Sequence, residues 1–168
     1  PMPRGQDQYS RRGTAFHLWV ERQFTDVATL FGEEYLDYLD PLDDDSKLED
    51  LKKAWLSSEF ANRTPARVEV PFETTIAGVL IRGRIDAVYA TDTGFEVVDW
   101  KTGSKKLGQS VAVQLAMYRL AWAKLTDTDI SKVSAAFHYV PTSITNRPVD
   151  LLDETALISL IQSIDSQY

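Results

Sequence analysis

Between Ala66 and Lys101 the chain carries three β-type segments in close succession, and nothing else in the sequence limits its fold as much. Arg67-Val68-Glu69-Val70-Pro71-Phe72-Glu73 alternates, while Val79 to Ala90 and Phe95 to Lys101 are rich in valine, isoleucine and aromatic residues, as strands favour. The short connections predict a meander. Thr91-Asp92-Thr93-Gly94 is a turn signal, and a loop of its two central residues sets Asp86 opposite Asp99. Gly94 also allows a three-residue loop with a bulge, which shifts the register by one and turns the two acids to opposite faces unless a second bulge restores them.

Helical patterns flank this region. Residues 11–31 contain no proline and one glycine, with Phe16, Val20, Phe24 and Val27 at spacings of three and four, which predicts an amphipathic helix with His17 beside its apolar face. The Asp40-Pro41 step and the Asp43-Asp44-Asp45 run mark a break. Ser46 suits the N-cap of a second helix through about Phe60, ended by Asn62 to Pro65. After a Gly103 to Gly108 loop a helix is expected over about Gln109 to Lys124, then a strand over about Lys132 to Val140 and a last helix over about Asp153 to Ile164. The order ααβββαβα predicts an α/β fold with a mixed central β-sheet flanked by α-helices. A length of 168 residues suits one domain spanning 1–168.

With no cysteine, the chain lacks the means for a disulfide framework, a thiolate nucleophile, a zinc-thiolate site or an iron-sulfur cluster, so any metal must bind oxygen or imidazole. No apolar run reaches the roughly 18 to 20 residues that span a bilayer, and the N-terminus has no signal-peptide stretch, so a cytoplasmic protein without a membrane partner is expected. Starting on Pro1, the chain reads as a piece of a longer polypeptide or a trimmed one. Its net charge of −7 runs against the basic footprint of nucleic-acid binding. The acidity is local, however: Glu33 to Asp50 holds nine acids against Lys47 alone, leaving +1 on the remainder. Such a block reads as a solvated loop or helix face.

In Val97-Val98-Asp99-Trp100-Lys101 a carboxylate and an ammonium stand two apart, hence on one face, at the end of an apolar strand. Alone, the triplet is equally an ordinary ion pair at a strand end. Asp86, in Gly83-Arg84-Ile85-Asp86, adds a second acid in a second apolar strand. Neighbouring carboxylates repel unless a cation lies between them, and a hard divalent ion such as Mg²⁺ or Mn²⁺ accepts carboxylate oxygens and a backbone carbonyl, here that of Trp100. Lys101 beside such an ion is placed to stabilise charge on a phosphate or to orient a water. Gln114 and Tyr118, spaced i, i+4, project from one face of the following helix.

The successive elements Gly83-Arg84-Ile85-Asp86, Val97-Val98-Asp99-Trp100-Lys101-Thr102-Gly103 and Gln114-Leu115-Ala116-Met117-Tyr118 resemble the nuclease motifs of RecB-type enzymes within the PD-(D/E)XK superfamily. Gly13-Thr14-Ala15-Phe16-His17 with Glu21 resembles that family's N-terminal helix motif, in which the histidine reaches the metal. The resemblance covers roughly residues 11–140. It implies a restriction-endonuclease-like core in which His17, Asp86, Asp99 and the Trp100 carbonyl bind Mg²⁺ or Mn²⁺, Lys101 is catalytic, and Gln114 and Tyr118 organise the site or hold DNA. It further implies the exonuclease module of an ATP-dependent helicase-nuclease in double-strand-break repair, with a helicase domain and single-stranded DNA ends as partners. Glu69 falls where related sequences often carry an acid, and it ranks below the others. The chain departs from relatives that staple this domain with a four-cysteine cluster.

Arg11, Arg12, Lys105, Lys106, Arg119 and Lys124 are the expected phosphate contacts, or else ordinary solvated charges. Two other readings stay open: a catalytically inactive nuclease fold used for DNA binding or docking, against which stands the presence of every expected acid, and a Lys101 Schiff-base enzyme. The latter needs a lowered lysine pKa, which two neighbouring carboxylates oppose.

Overall fold

The computed structural model of the chain describes residues 4–24, 46–103 and 109–165. These fall into two compact units: residues 1–64 with 102–104 and 139–143, and residues 65–101 with 105–138 and 144–168.

The first unit holds helices α1 (Arg4–Phe24) and α2 (Ser46–Leu56). Their contact is aromatic, with buried Trp55 of α2 receiving Trp19 and Phe24 of α1 edge-on, both at 5.7 Å between ring centroids. Leu48 and Leu51 complete the buried face of α2. The first helix begins seven residues before its expected start at residue 11, since the Arg4 to Ser10 stretch has no proline to stop it although it shows no apolar stripe. Residues 25–31 of the expected helix, the Asp40-Pro41 break and most of the acidic block lie outside the described residues. The second helix stops at Leu56, short of Phe60. The Ser57 and Ser58 hydroxyls bond back to the Lys53 and Trp55 carbonyls, and Ser58 Oγ then accepts the Phe60 N–H, which draws the chain out of the helix.

The second unit is built on a mixed five-stranded sheet with strands in sequence order: β1 (Arg67–Ile76), β2 (Val79–Ala90), β3 (Phe95–Lys101), β4 (Val133–Tyr139) and β5 (Ile144–Asn146). Ala77 and Gly78, both at positive φ (51° and 79°), form the two-residue turn between β1 and β2. Between β2 and β3 the loop is Asp92-Thr93: Ala90 pairs with Phe95 and Ala87 with Val98, the register that directs Asp86 toward Asp99. Gly94 makes no bulge. A Cβ there would collide with the Lys132 backbone, so glycine is required by the close approach of the next crossing of the chain.

Helix α3 (Gln109–Leu125) buries Leu115, Ala116, Leu120, Ala121, Trp122 and Ala123, so apolar residues surround most of it, as in a helix covered on more than one side. With α4 (Glu154–Asp165) and β1 it encloses a core of Ile76, Ala116, Leu120, Leu157 and Ile161. The helix and strand order expected from the sequence is met, with β5 as an addition. Its three residues, close to Pro148, are too few to show a period. Among the described residues, no helix is long and apolar enough to cross a membrane.

Candidate active site

The β2–β3 hairpin sets the two central carboxylates. Its backbone ladder runs to the Ala87 and Val98 pair, after which the Trp100 N–H donates to Asp86 Oδ2 at 2.8 Å. The Asp86 side chain thereby replaces a rung of the sheet, which fixes its rotamer. Asp86 is 8% exposed and Asp99 6%. The Lys101 ammonium touches Asp99 Oδ2 at 2.7 Å and lies 5.8 Å from the centre of the Phe137 ring. Lys101 is thus the cationic partner of a buried Asp99 oxygen.

Burial, and then the Asp86 charge with a hydrogen bond between the two carboxyls, raises the Asp99 pKa to about 7 against the opposing pull of Lys101. Two acids sharing a proton in this way form a site that one multivalent cation satisfies better. Within this unit the donors on offer are the carboxylate oxygens of Asp86 and Asp99 and the Trp100 carbonyl. These residues fit a hard divalent ion.

Gln114 and Tyr118 of α3 act as a pair, with Gln114 Nε2 donating to Tyr118 Oη at 2.8 Å. Burial, followed by the Asp99 and Asp86 charges, pushes the Tyr118 pKa up to about 12 despite that bond. The phenol therefore keeps its proton and serves as a donor. Its ring stands edge-on to Phe72 at 5.4 Å, over Gly83, where a Cβ would come within 2.6 Å of the Phe72 ring and 3.2 Å of Tyr118. The glycine of Gly-Arg-Ile-Asp makes room for both rings.

One of the Glu69 carboxylate oxygens lies within 4.8 Å of one of Asp86, and Arg84 meets Glu69 at 3.8 Å. The available signal was an acid in an alternating strand that pairs with the Asp86 strand. Gly83 and Arg84 stand in the Gly-Arg-Ile-Asp element, but neither they nor Phe72 was given a role of its own from the sequence. His17 sits on α1 in the other unit, its ring T-shaped against Phe16 at 6.0 Å. Trp100 is buried, with its indole edge-on to His138 at 5.9 Å.

Two expected phosphate contacts are engaged elsewhere. The Arg119 guanidinium donates to the Val133 and Ile130 carbonyls, tying α3 to the start of β4. Its planar fork spans the carbonyls of the first residue of a short 3₁₀ turn, Ile130–Lys132, and of the residue that follows it. Lys124 pairs with Glu154 at 2.7 Å. Lys105 and Lys106 lie outside the described residues. In the first unit, Arg12 and Lys47 line a cavity of about 340 Å³ together with Asp50, Leu51, Thr102 and Pro141.

Fold and carboxylate arrangement define a nuclease-type core, and the family comparison agrees. The model of the PD-(D/E)XK nuclease superfamily matches residues 2–157, and the chain belongs to that superfamily. Among solved structures, the crystal structure of SSO0001 is similar over 94% of this chain and 71% of its own, at 15% identity and a TM-score of 0.41. Comparison with curated proteins gives no match.

Proposed function

We propose that this chain is a Mg²⁺- or Mn²⁺-dependent deoxyribonuclease of the RecB-like branch of its superfamily. In this reading it is the exonuclease module of a helicase-nuclease in double-strand-break repair, working in the cytoplasm on single-stranded ends delivered by a helicase domain. The observation that carries the reading is the convergence of Asp86 and Asp99 across the β2–β3 hairpin, with Lys101 against Asp99. The RecB-like branch and its setting rest on the Gln114 and Tyr118 spacing and the Gly-Arg-Ile-Asp and Asp-Trp-Lys elements.

Asp86, Asp99, the Trp100 carbonyl and His17 are the proposed ligands. A divalent ion held there supplies charge stabilisation for a phosphodiester and lowers the pKa of a water. The chain's own groups do the rest. Lys101, kept near the acids by its contact with Asp99, neutralises charge developing on the phosphate, and the protonated Tyr118, aligned by Gln114, donates a hydrogen bond to a strand oxygen. The side chain of Asp86 cannot rotate away without opening the end of the hairpin, so the site is preorganised by the sheet.

Asp99→Ala is expected to abolish Mn²⁺-dependent cleavage of a single-stranded DNA substrate, a loss of at least about a hundredfold, with an unchanged far-UV circular dichroism spectrum. Equal cleavage by mutant and wild type would exclude this reading. Retained DNA binding by a wild-type chain that neither cleaves nor binds Mn²⁺ would point to a docking module instead.

A further inference from the structure

On α1 the buried residues Phe16 and Val20 stand four apart, and Arg12 lies one such interval earlier, where the same face would carry a third apolar side chain. On α2, Lys47, Asp50 and Leu51 are spaced i, i+3, i+4 and so share a face, with Leu51 buried at its base. These four side chains line the cavity of about 340 Å³, which Thr102 and Pro141 complete from two loops. All six residues belong to the first unit. Trp19, Phe24 and Trp55 join the same two helices through aromatic rings, whereas Arg12 and Lys47 edge a space with charge.

The charge of that lining selects a ligand. Arg12 and Lys47 stand against Asp50 alone, a net positive cavity in a chain of net charge −7. Leu51 and Pro141 add apolar wall and Thr102 a hydroxyl, and the volume falls in the range of about 300–1,000 Å³ that small-molecule sites occupy. Both cations also have partners within the chain, so a ligand must compete for them. A phosphate monoester, with a charge of roughly −1.5 to −2 at neutral pH, does so better than the single charge of a phosphodiester. Thr102 directly follows Lys101, so one wall of the cavity is a single peptide bond from the lysine of the candidate active site.

We infer that this cavity seats the terminal nucleotide of a strand by its phosphate monoester, with Arg12 and Lys47 on the phosphate, Leu51 and Pro141 against the base, and Asp50 accepting from a base amino group. The inference rests on the nuclease reading and deepens it, since it makes the chain a reader of phosphorylated ends as well as a hydrolase of diesters. A free nucleoside monophosphate carries the same groups. The strand end is favoured because Thr102 ties the cavity to Lys101 through the backbone.

Fluorescence anisotropy of single-stranded oligonucleotides, titrated with the full chain in EDTA, tests this without turnover. Each oligonucleotide carries a phosphate at its 5′ or its 3′ end and the dye at the other. At least one of the two is expected to bind about tenfold tighter than its hydroxyl-ended counterpart. Arg12→Gln and Lys47→Gln are each expected to remove most of that preference, and Lys47→Arg to keep it. Lys47 is exposed, so its variants test the cavity even if Arg12→Gln does not fold. Equal binding of phosphorylated and hydroxyl ends by the wild-type chain overturns the inference, as does a preference that survives in folded Lys47→Gln. Competition by a deoxynucleoside monophosphate, without any preference between oligonucleotide ends, assigns the cavity to the free product and overturns the strand-end form. An absent preference in a chain that still cleaves DNA with Mn²⁺ leaves the nuclease reading standing. A preference in a chain that cleaves nothing removes that reading and keeps the cavity.

Discussion

At the level of single residues, the proton shared by Asp86 and Asp99 determines how the site answers to pH. Folding raises the Asp99 pKa from 3.8 to about 7, so the folded chain holds that proton more tightly than the unfolded one. The stabilisation from Asp99 is therefore complete below about pH 4 and is withdrawn as the pH climbs to about 7. Without added metal, Tm should fall over that interval, and Asp99→Asn should flatten this part of the profile. Metal must displace the same proton, so apparent Mn²⁺ affinity should drop about tenfold per pH unit below 7, with proton uptake by the buffer measurable by calorimetry. Gly83 is the second sensitive residue. Gly83→Ala forces a methyl into the Phe72 and Tyr118 rings, and a loss of about 1–3 kcal/mol in denaturant unfolding is expected, together with reduced cleavage as Tyr118 shifts.

Among the elements, the hairpins were the most legible part of the chain. Thr91-Asp92-Thr93-Gly94 marked the turn but allowed two loop lengths, and it is the two-residue one that gives the register bringing Asp86 and Asp99 together. Asp86, Asp99 and Lys101 could be picked out as charges in apolar strands, whereas Gln114 and Tyr118 stood out through their i, i+4 spacing and the resemblance. Glu69 ranked low because an acid in an alternating strand looks like an exposed residue until its distance from Asp86 is known. Arg119 was misplaced for a related reason: its partners are backbone carbonyls, which leave no trace in a sequence. Its structural role predicts that Arg119→Ala destabilises the fold by about 1–3 kcal/mol through two abandoned carbonyls. The salt dependence of DNA binding should not change, whereas loss of a true phosphate contact would lower its slope.

On the scale of the whole molecule, net charge is a poor guide to partners here, since the −7 is concentrated between Glu33 and Asp50 and the remainder is close to neutral. What was not legible at this scale was the division into two compact units, because each unit is assembled from stretches far apart in the chain. A ligand that binds only the folded chain stabilises it by mass action, so Mn²⁺ at a hundredfold excess over its Kd should add about 2.7 kcal/mol, visible as a rise in Tm that Asp86→Ala removes. The Trp100 N–H donated to Asp86 Oδ2 offers a finer reading of the same event. That amide is a built-in gauge of the site: its ¹⁵N–¹H resonance should move as the carboxylate it serves takes up a diamagnetic ion such as Ca²⁺, and its exchange with deuterium should slow. Occupancy of the centre could then be followed at a single backbone position, with no substrate present and no bond cut.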